Sequence, residues 1–265
     1  MNIARGELGA LTVANSVIVK HRYHQDPRLS ANQLAEYLKA TAPSRKRILQ
    51  EAKFPATVIV IRYEDAKAPV VGFMTGAASA LENGIVRARR KAETDGLTDY
   101  GKKNCELCID AMESFQAAIA NLDMGKTKFK KPEIHNTKLK ISGVNISVSI
   151  NMMTEETRRD GKRSIGAAIL VFSKGRPNQR EMATRCKAIA LLIYELLKSQ
   201  GNTAATCDPS LCMAIDVFNA RIYRAMTAQV RLLRTMETSC EEVTNVWPSI
   251  KPPTNYSGPT IQMIA

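Results

Sequence analysis

Hydrophobic and polar positions along the chain follow two grammars, and the change between them falls near residue 130. Before that point the rhythm is mostly helical. "LSANQLAEYLKA" brings Leu34, Tyr37 and Leu38 to one face behind Ser30, a residue type whose hydroxyl caps helix starts. "SRKRILQEA" follows Pro43 as a second helix. The β-branched run "ATVIVIRY" fits either a strand or the start of another helix. Residues 77–94 end in the basic cluster Arg87, Arg89, Arg90 and Lys91, and "TDYGKKNCELCIDAMESFQAAIANL" is the longest helical candidate.

The link "MGKTKFKKPEIHN", residues 124–136, is basic and carries Gly and Pro, as a domain boundary or exposed loop does. Strand patterns follow it. "KLKISGVNISVSI" alternates about a Gly-Val pair, as a hairpin does. "SVSINMMTEETRRDGKRSIGAAILVFSKG" reads as strand, charged turn, strand, and its continuous apolar run "SIGAAILVFS" predicts a strand buried on both faces. "NQREMATRCKAIALLIYELLKS" is an amphipathic helix, "LCMAIDVFNARIYRA" two strands around "FNAR", and "AQVRLLRTMETSCEEVTNVW" a closing helix. The expected fold is α+β or α/β. It has a mainly helical region over residues 1–130, a domain over 131–250 with a central mixed β-sheet flanked by helices, and an extended Pro-rich tail over 251–265.

Composition adds a partner to this picture. The 265 residues are 45% hydrophobic and 24% charged, with a net charge of +13. An excess of cations of this size attracts polyanions, nucleic acid first among them. It is spread over both halves, so charge alone assigns binding to neither. Aromatic content of 5% argues against a stacking platform for single strands. No apolar run is long enough to span a membrane, and the first residues lack a basic leader with an apolar core. A cytoplasmic protein without a membrane partner is therefore expected, with its six cysteines reduced. Cys105 and Cys108 form a lone CxxC within a helical pattern; a structural zinc needs four ligands, and spacing of three also serves a buried face. His21 and His24 would need further ligands to hold a metal, so no metal site is expected. No GxSxG, Walker A or GxGxxG pattern occurs.

Two segments carry candidate nucleic-acid contacts. Residues 30–54 have the length of a helix-turn-helix, whose second helix would carry Arg45, Lys46 and Arg47 near its N-terminal end, toward phosphates or guanine edges. The turn "KATAP" lacks glycine, and a helical hairpin with a basic end in water remains the alternative. The second segment is the turn holding Arg158, Arg159, Lys162 and Arg163.

The order of strands and helices from 137 to 223, with a helix before it, resembles the core of the PD-(D/E)XK nuclease superfamily. Parts of the chain, "RLSANQLAEYL" and "VFNARIY" among them, are also similar to an uncharacterised bacterial protein family. The nuclease resemblance implies an Asp at the end of one strand and Glu-x-Lys on the next, which hold magnesium and activate a water. Here the Asp position is Asn151, and the Glu-x-Lys positions fall on Ala167 or Ala168 followed by Ile169 or Leu170. The expected function is therefore DNA binding by a catalytically degenerate nuclease-like domain, in a bacterial or mobile-element setting, with DNA or a DNA-handling protein complex as partner. One alternative is an active nuclease with a displaced site at Asn151, Lys174 and Glu181, the one reading that requires Mg. The other is a scaffold subunit of a DNA-handling assembly.

Overall fold

The computed structural model of the protein describes residues 21–56, 62–132, 137–157, 161–173, 178–201, 206–226 and 229–259. The fold is α+β, with seven α-helices and two sheets among the described residues. In chain order the elements are β1 (Arg28–Ser30), α1 (Ala31–Tyr37), α2 (Ala42–Lys53), α3 (Glu64–Met74), α4 (Ala80–Ala92), α5 (Asp99–Ala118) and β2 (Lys128–Lys130). Then come β3 (Lys138–Ile141), β4 (Val144–Ser147), β5 (Met152–Thr157), β6 (Arg163–Val171), α6 (Gln179–Ser199), β7 (Thr206–Cys207), β8 (Met213–Asp216), β9 (Arg221–Arg224) and α7 (Val230–Val246). The run "TVIVI" at 57–61 lies outside the described residues. No described helix is long and apolar enough to cross a membrane.

Strand β6 is the axis of the larger, mixed sheet, whose order is β2-β5-β6-β8-β9 with β7 alongside β6. From Ser164 to Val171 every residue is buried. Because side chains alternate along a strand, Ala167, Ile169 and Val171 enter one core with α1, α2, α6 and α7, while Ala168 and Leu170 enter a second core with α3, α4 and α5. The expected double-sided burial is what is found. It also shows that residue 130 marks a change of element type rather than a break in packing. Both cores draw residues from both sides of it, and the linker segment Lys128–Lys130 is itself a strand paired antiparallel with β5.

Local signals place the helices. Ser30 caps α1 in a capping box with Gln33, each side chain bonded to the other's backbone N–H. Pro43 sits in the first turn of α2, where its missing N–H is not needed. The smaller sheet, β1-β4-β3, is closed by the hairpin turn Ser142-Gly143, both with positive φ (42° and 84°). That backbone suits a two-residue turn following strand twist, and it puts the turn one residue before the Gly-Val pair of the sequence reading. α6, at 21 residues, is one residue longer than α5.

The Pro-rich tail is anchored as far as it is described. Lys53, 3% exposed, spends all three ammonium donors on the carbonyls of Trp247 (2.6 Å), Pro248 (3.2 Å) and Ile250 (3.2 Å). The Trp247 indole N–H donates in turn to the Gln25 carbonyl at 2.9 Å, and Tyr256 packs edge-on against Phe54. The end of α2, the end of α7, the segment at Gln25 and the described part of the tail thus meet around one cation.

Lys53→Met should lower the unfolding free energy by about 2–3 kcal/mol, because three carbonyls lose a charged donor together; equilibrium urea unfolding measures it. A second prediction concerns the sheet edge. Glu155 on β5 meets Lys130 of β2 at 2.6 Å and Arg163 of β6 at 2.8 Å, and the Lys130 hydrogen bond foremost, with Arg163, holds its carboxyl below the usual glutamate range. A depressed carboxylate stabilises the fold above its unfolded pKa, and that stabilisation fades as pH falls through the folded value. Glu155→Gln should therefore cost about 0.5–1 kcal/mol at neutral pH, and its urea midpoint should converge with that of the wild type in acid.

Candidate nucleic-acid interface

Asn151, expected at a strand end in the place of the nuclease Asp, lies instead just ahead of β5: the strand before it, β4, ends at Ser147 in the smaller sheet, and the segment expected as a charged turn begins with β5 itself. The Asn151 backbone N–H donates to the Ala168 carbonyl at 3.0 Å, and its side-chain Oδ1 accepts the Leu170 N–H at 2.8 Å. The amide thereby extends the β5–β6 ladder by one rung before β5 begins. The Glu-x-Lys positions of β6 are apolar and at most 4% exposed, so no charge reaches the sheet surface there.

The displaced site is described only in part. Glu181 is exposed in the first turn of α6, its backbone N–H held by the Asn178 side chain at 2.9 Å. Lys174 lies outside the described residues, as do Arg158, Arg159 and Asp160. Asp216 is buried as the anchor of the β8–β9 turn, accepting from the Phe218 N–H and the Asn219 amide. Among the described residues no group of three or more His, Cys, Asp or Glu is placed to hold a metal ion. Cys105 and Cys108 are buried on α5, where desolvation pushes both thiols up.

The cations of α2 divide. Arg45 turns onto its own chain: its guanidinium lies 4.7 Å over the Tyr37 ring, donates to the Tyr37 carbonyl, and meets Glu242 of α7 at 3.1 Å. Arg47 is shared between Glu51 (3.0 Å) and Glu36 (3.3 Å). Lys46 is exposed, on the rim of a groove of about 540 Å³ between α2 and α7. At the β5–β6 turn Lys162 is exposed, and Arg163 pairs with Glu155. Among the described residues, the cations of α2 are thus divided between internal partners and solvent, and the turn set is described only at Lys162 and Arg163.

A different cluster does converge. At the carboxyl end of β6 a recess of about 710 Å³ is lined by Arg62, Lys67 of α3 and Arg185 of α6. Leu107, Leu170 and Phe172 form its apolar wall, and Asn32 and Ser173 add neutral polar groups. Among the described lining residues there is no carboxylate. The Arg185 Nε is buried without a hydrogen-bond partner. Tyr63, at the mouth of α3, holds the left-handed conformation (φ 63°), strained for a bulky residue, and its ring stacks on Phe172 with centroids 5.1 Å apart. A second recess, about 600 Å³, opens at the start of α6 with Arg180 and Arg221. The carboxyl end of a parallel strand pair, here β6 and β8, is where α/β sheets take ligands.

Sequence reading missed this cluster. Arg62 ends a β-branched run and Arg185 lies among the apolar positions of α6; only the odd placement of an Arg next to the buried face, beside Met182, Cys186 and Ile189, marks it.

No family model matches the chain, and no curated protein is detectably similar to it in sequence.

Asn151→Ala should cost about 1–3 kcal/mol of stability, because it strands the Leu170 N–H, whereas exposed Glu181→Ala should change stability by less than about 0.5 kcal/mol. Urea unfolding of the two variants checks whether Asn151 serves the ladder.

Proposed function

We propose that the protein binds nucleic acid and does not cut it, on a nuclease-like framework without the acids of a metal site. The observation that carries this reading is the recess at the end of β6, which holds three cations and no carboxylate among its described lining residues. Phosphate oxygens are the partners such a set accepts, through charge-assisted hydrogen bonds. A second recess, at the start of α6, adds Arg180 and Arg221.

The hairpin Lys138–Ser147, counted in the PD-(D/E)XK order expected from 137 to 223, pairs instead with β1 in the smaller sheet, so the likeness is proposed with its core shifted to other strands. Helix α5 precedes the antiparallel strands β2, β5 and β6, and α6 then leads to β8 beside β6. In this reading the β3–β4 hairpin is an insertion between β2 and β5, and β9 an addition at the edge. DNA, or an assembly that handles it, is the proposed partner.

The test is fluorescence anisotropy with labelled duplex and single-stranded DNA across a salt series, beside a cleavage assay with Mg²⁺ or Mn²⁺. If Arg62, Lys67, Arg185, Arg180 and Arg221 contact phosphates, the log–log salt slope should be roughly −4, and no product should appear. Weak binding insensitive to salt would instead favour a scaffold role. Metal-dependent cutting abolished by Glu181→Ala would overturn the proposal in favour of a displaced nuclease site.

A further inference from the structure

The main recess has properties that a surface track for a sugar–phosphate backbone does not need. It is concave, its volume of about 710 Å³ is far more than one phosphate fills, and it lies in the size range of pockets that enclose small ligands. Its cations are Arg62, Lys67 and Arg185. Of these, Lys67 has an exposed carboxylate neighbour in Glu64, at 2.6 Å. Arg185 keeps a buried Nε with no partner, an arrangement that leaves a guanidinium N–H desolvated and unsatisfied until an acceptor arrives.

Charge matching then separates the possible occupants. An internal phosphodiester carries one negative charge. A terminal monoester carries about 1.5 to 2 at neutral pH, with three acceptor oxygens, and so better matches a site where Glu64 already offsets one of the three cations. The apolar side of the recess, Phe172 stacked on Tyr63 at an interplanar angle of 14°, provides a flat surface for a sugar or base.

We infer that this recess takes a terminal phosphate monoester carried on a nucleoside, either the phosphorylated end of a strand or a free mononucleotide. The strand-end source rests on the nucleic-acid reading above; the free mononucleotide does not.

The test compares one fluorescein-labelled single-stranded oligonucleotide bearing either a 5′-phosphate, a 3′-phosphate or hydroxyls at both ends, with dTMP and inorganic phosphate as competitors. One of the two phosphorylated forms should bind about tenfold or more tighter than the hydroxyl form. The preference should shrink as pH falls below about 6 and the monoester loses its second charge. It should collapse in Arg185→Met and in Arg62→Ala/Lys67→Ala, the second variant being on accessible positions whose urea midpoint stays at the wild-type value. Displacement by dTMP but not by inorganic phosphate at equal concentration also supports the inference, and shows that the nucleoside is held too. Equal, salt-dependent binding of all three oligonucleotides with no displacement by dTMP overturns the inference and leaves the nucleic-acid reading standing. If no oligonucleotide binds, the nucleic-acid reading fails, and direct titration with dTMP decides the recess: saturable binding lost in Arg185→Met upholds it, and no binding overturns it.

Discussion

The structure depends on a strand that has no polar face. From Ser164 to Val171 the chain is buried throughout, so β6 is stable only if packed elements cover both of its sides. α6, itself carrying ten buried residues, supplies one cover together with α1, α2 and α7, and α3, α4 and α5 supply the other. Gly166 shows how closely this strand is approached: a Cβ there would run into the backbone of Leu211, whose carbonyl accepts the Thr154 hydroxyl at 2.6 Å. A strand so enclosed has no room for a solvated acid and lysine two residues apart. The lack of charge at Ala167–Leu170 and the two-sided core are consequences of the same burial.

A second constraint is how the surplus of positive charge is distributed. Many of the basic residues that stand out in the sequence are neutralised at short range. Arg89 pairs with Glu113 and Lys91 with Asp65 across neighbouring helices, and Arg45 and Arg47 are taken up by acids of α7, α1 and α2. Exposed pairs of this kind contribute little stability, but they reduce the field those cations present to a polyanion. The recess at the end of β6 differs because cations from the start of α3 and from α6 converge on one concavity with no acid among its described lining residues, although Lys67 also pairs with Glu64 beside it. Position, more than the number of cations, distinguishes it.

Wherever a local rule decides, the sequence was readable. Ser30 as a helix cap, Pro43 in a first turn, the doubly buried run of β6 and the hairpin over Val217–Ala220 all follow from residue chemistry within a few positions. The CxxC of α5 resolved as two buried apolar positions for the same reason. Long-range pairing was not readable. The basic linker near residue 130 looked like a boundary because Lys and Gly suit exposed loops, yet Phe129 between two lysines is enough for an edge strand with one buried side chain. Lys53 reads as a surface residue at the end of an amphipathic helix; its role depends on carbonyls nearly two hundred positions away. The cluster of Arg62, Lys67 and Arg185 was hidden for the same reason, as no spacing rule links the start of one helix to the middle of another.

These features together set what the proposed binding of phosphate without a metal requires. A carboxylate cluster is net negative and receives a phosphate only after a divalent cation has reversed its sign. A site that takes phosphate without that cation must omit the acids and supply fixed cations in their place. Asn151 satisfies the first condition: a neutral amide keeps the hydrogen bond to the Leu170 N–H and so preserves the strand register without adding negative charge. Arg185 and its neighbours satisfy the second within the recess that Leu170 also lines. The same stretch of β6 therefore connects the neutral Asn151 to the cations of the recess.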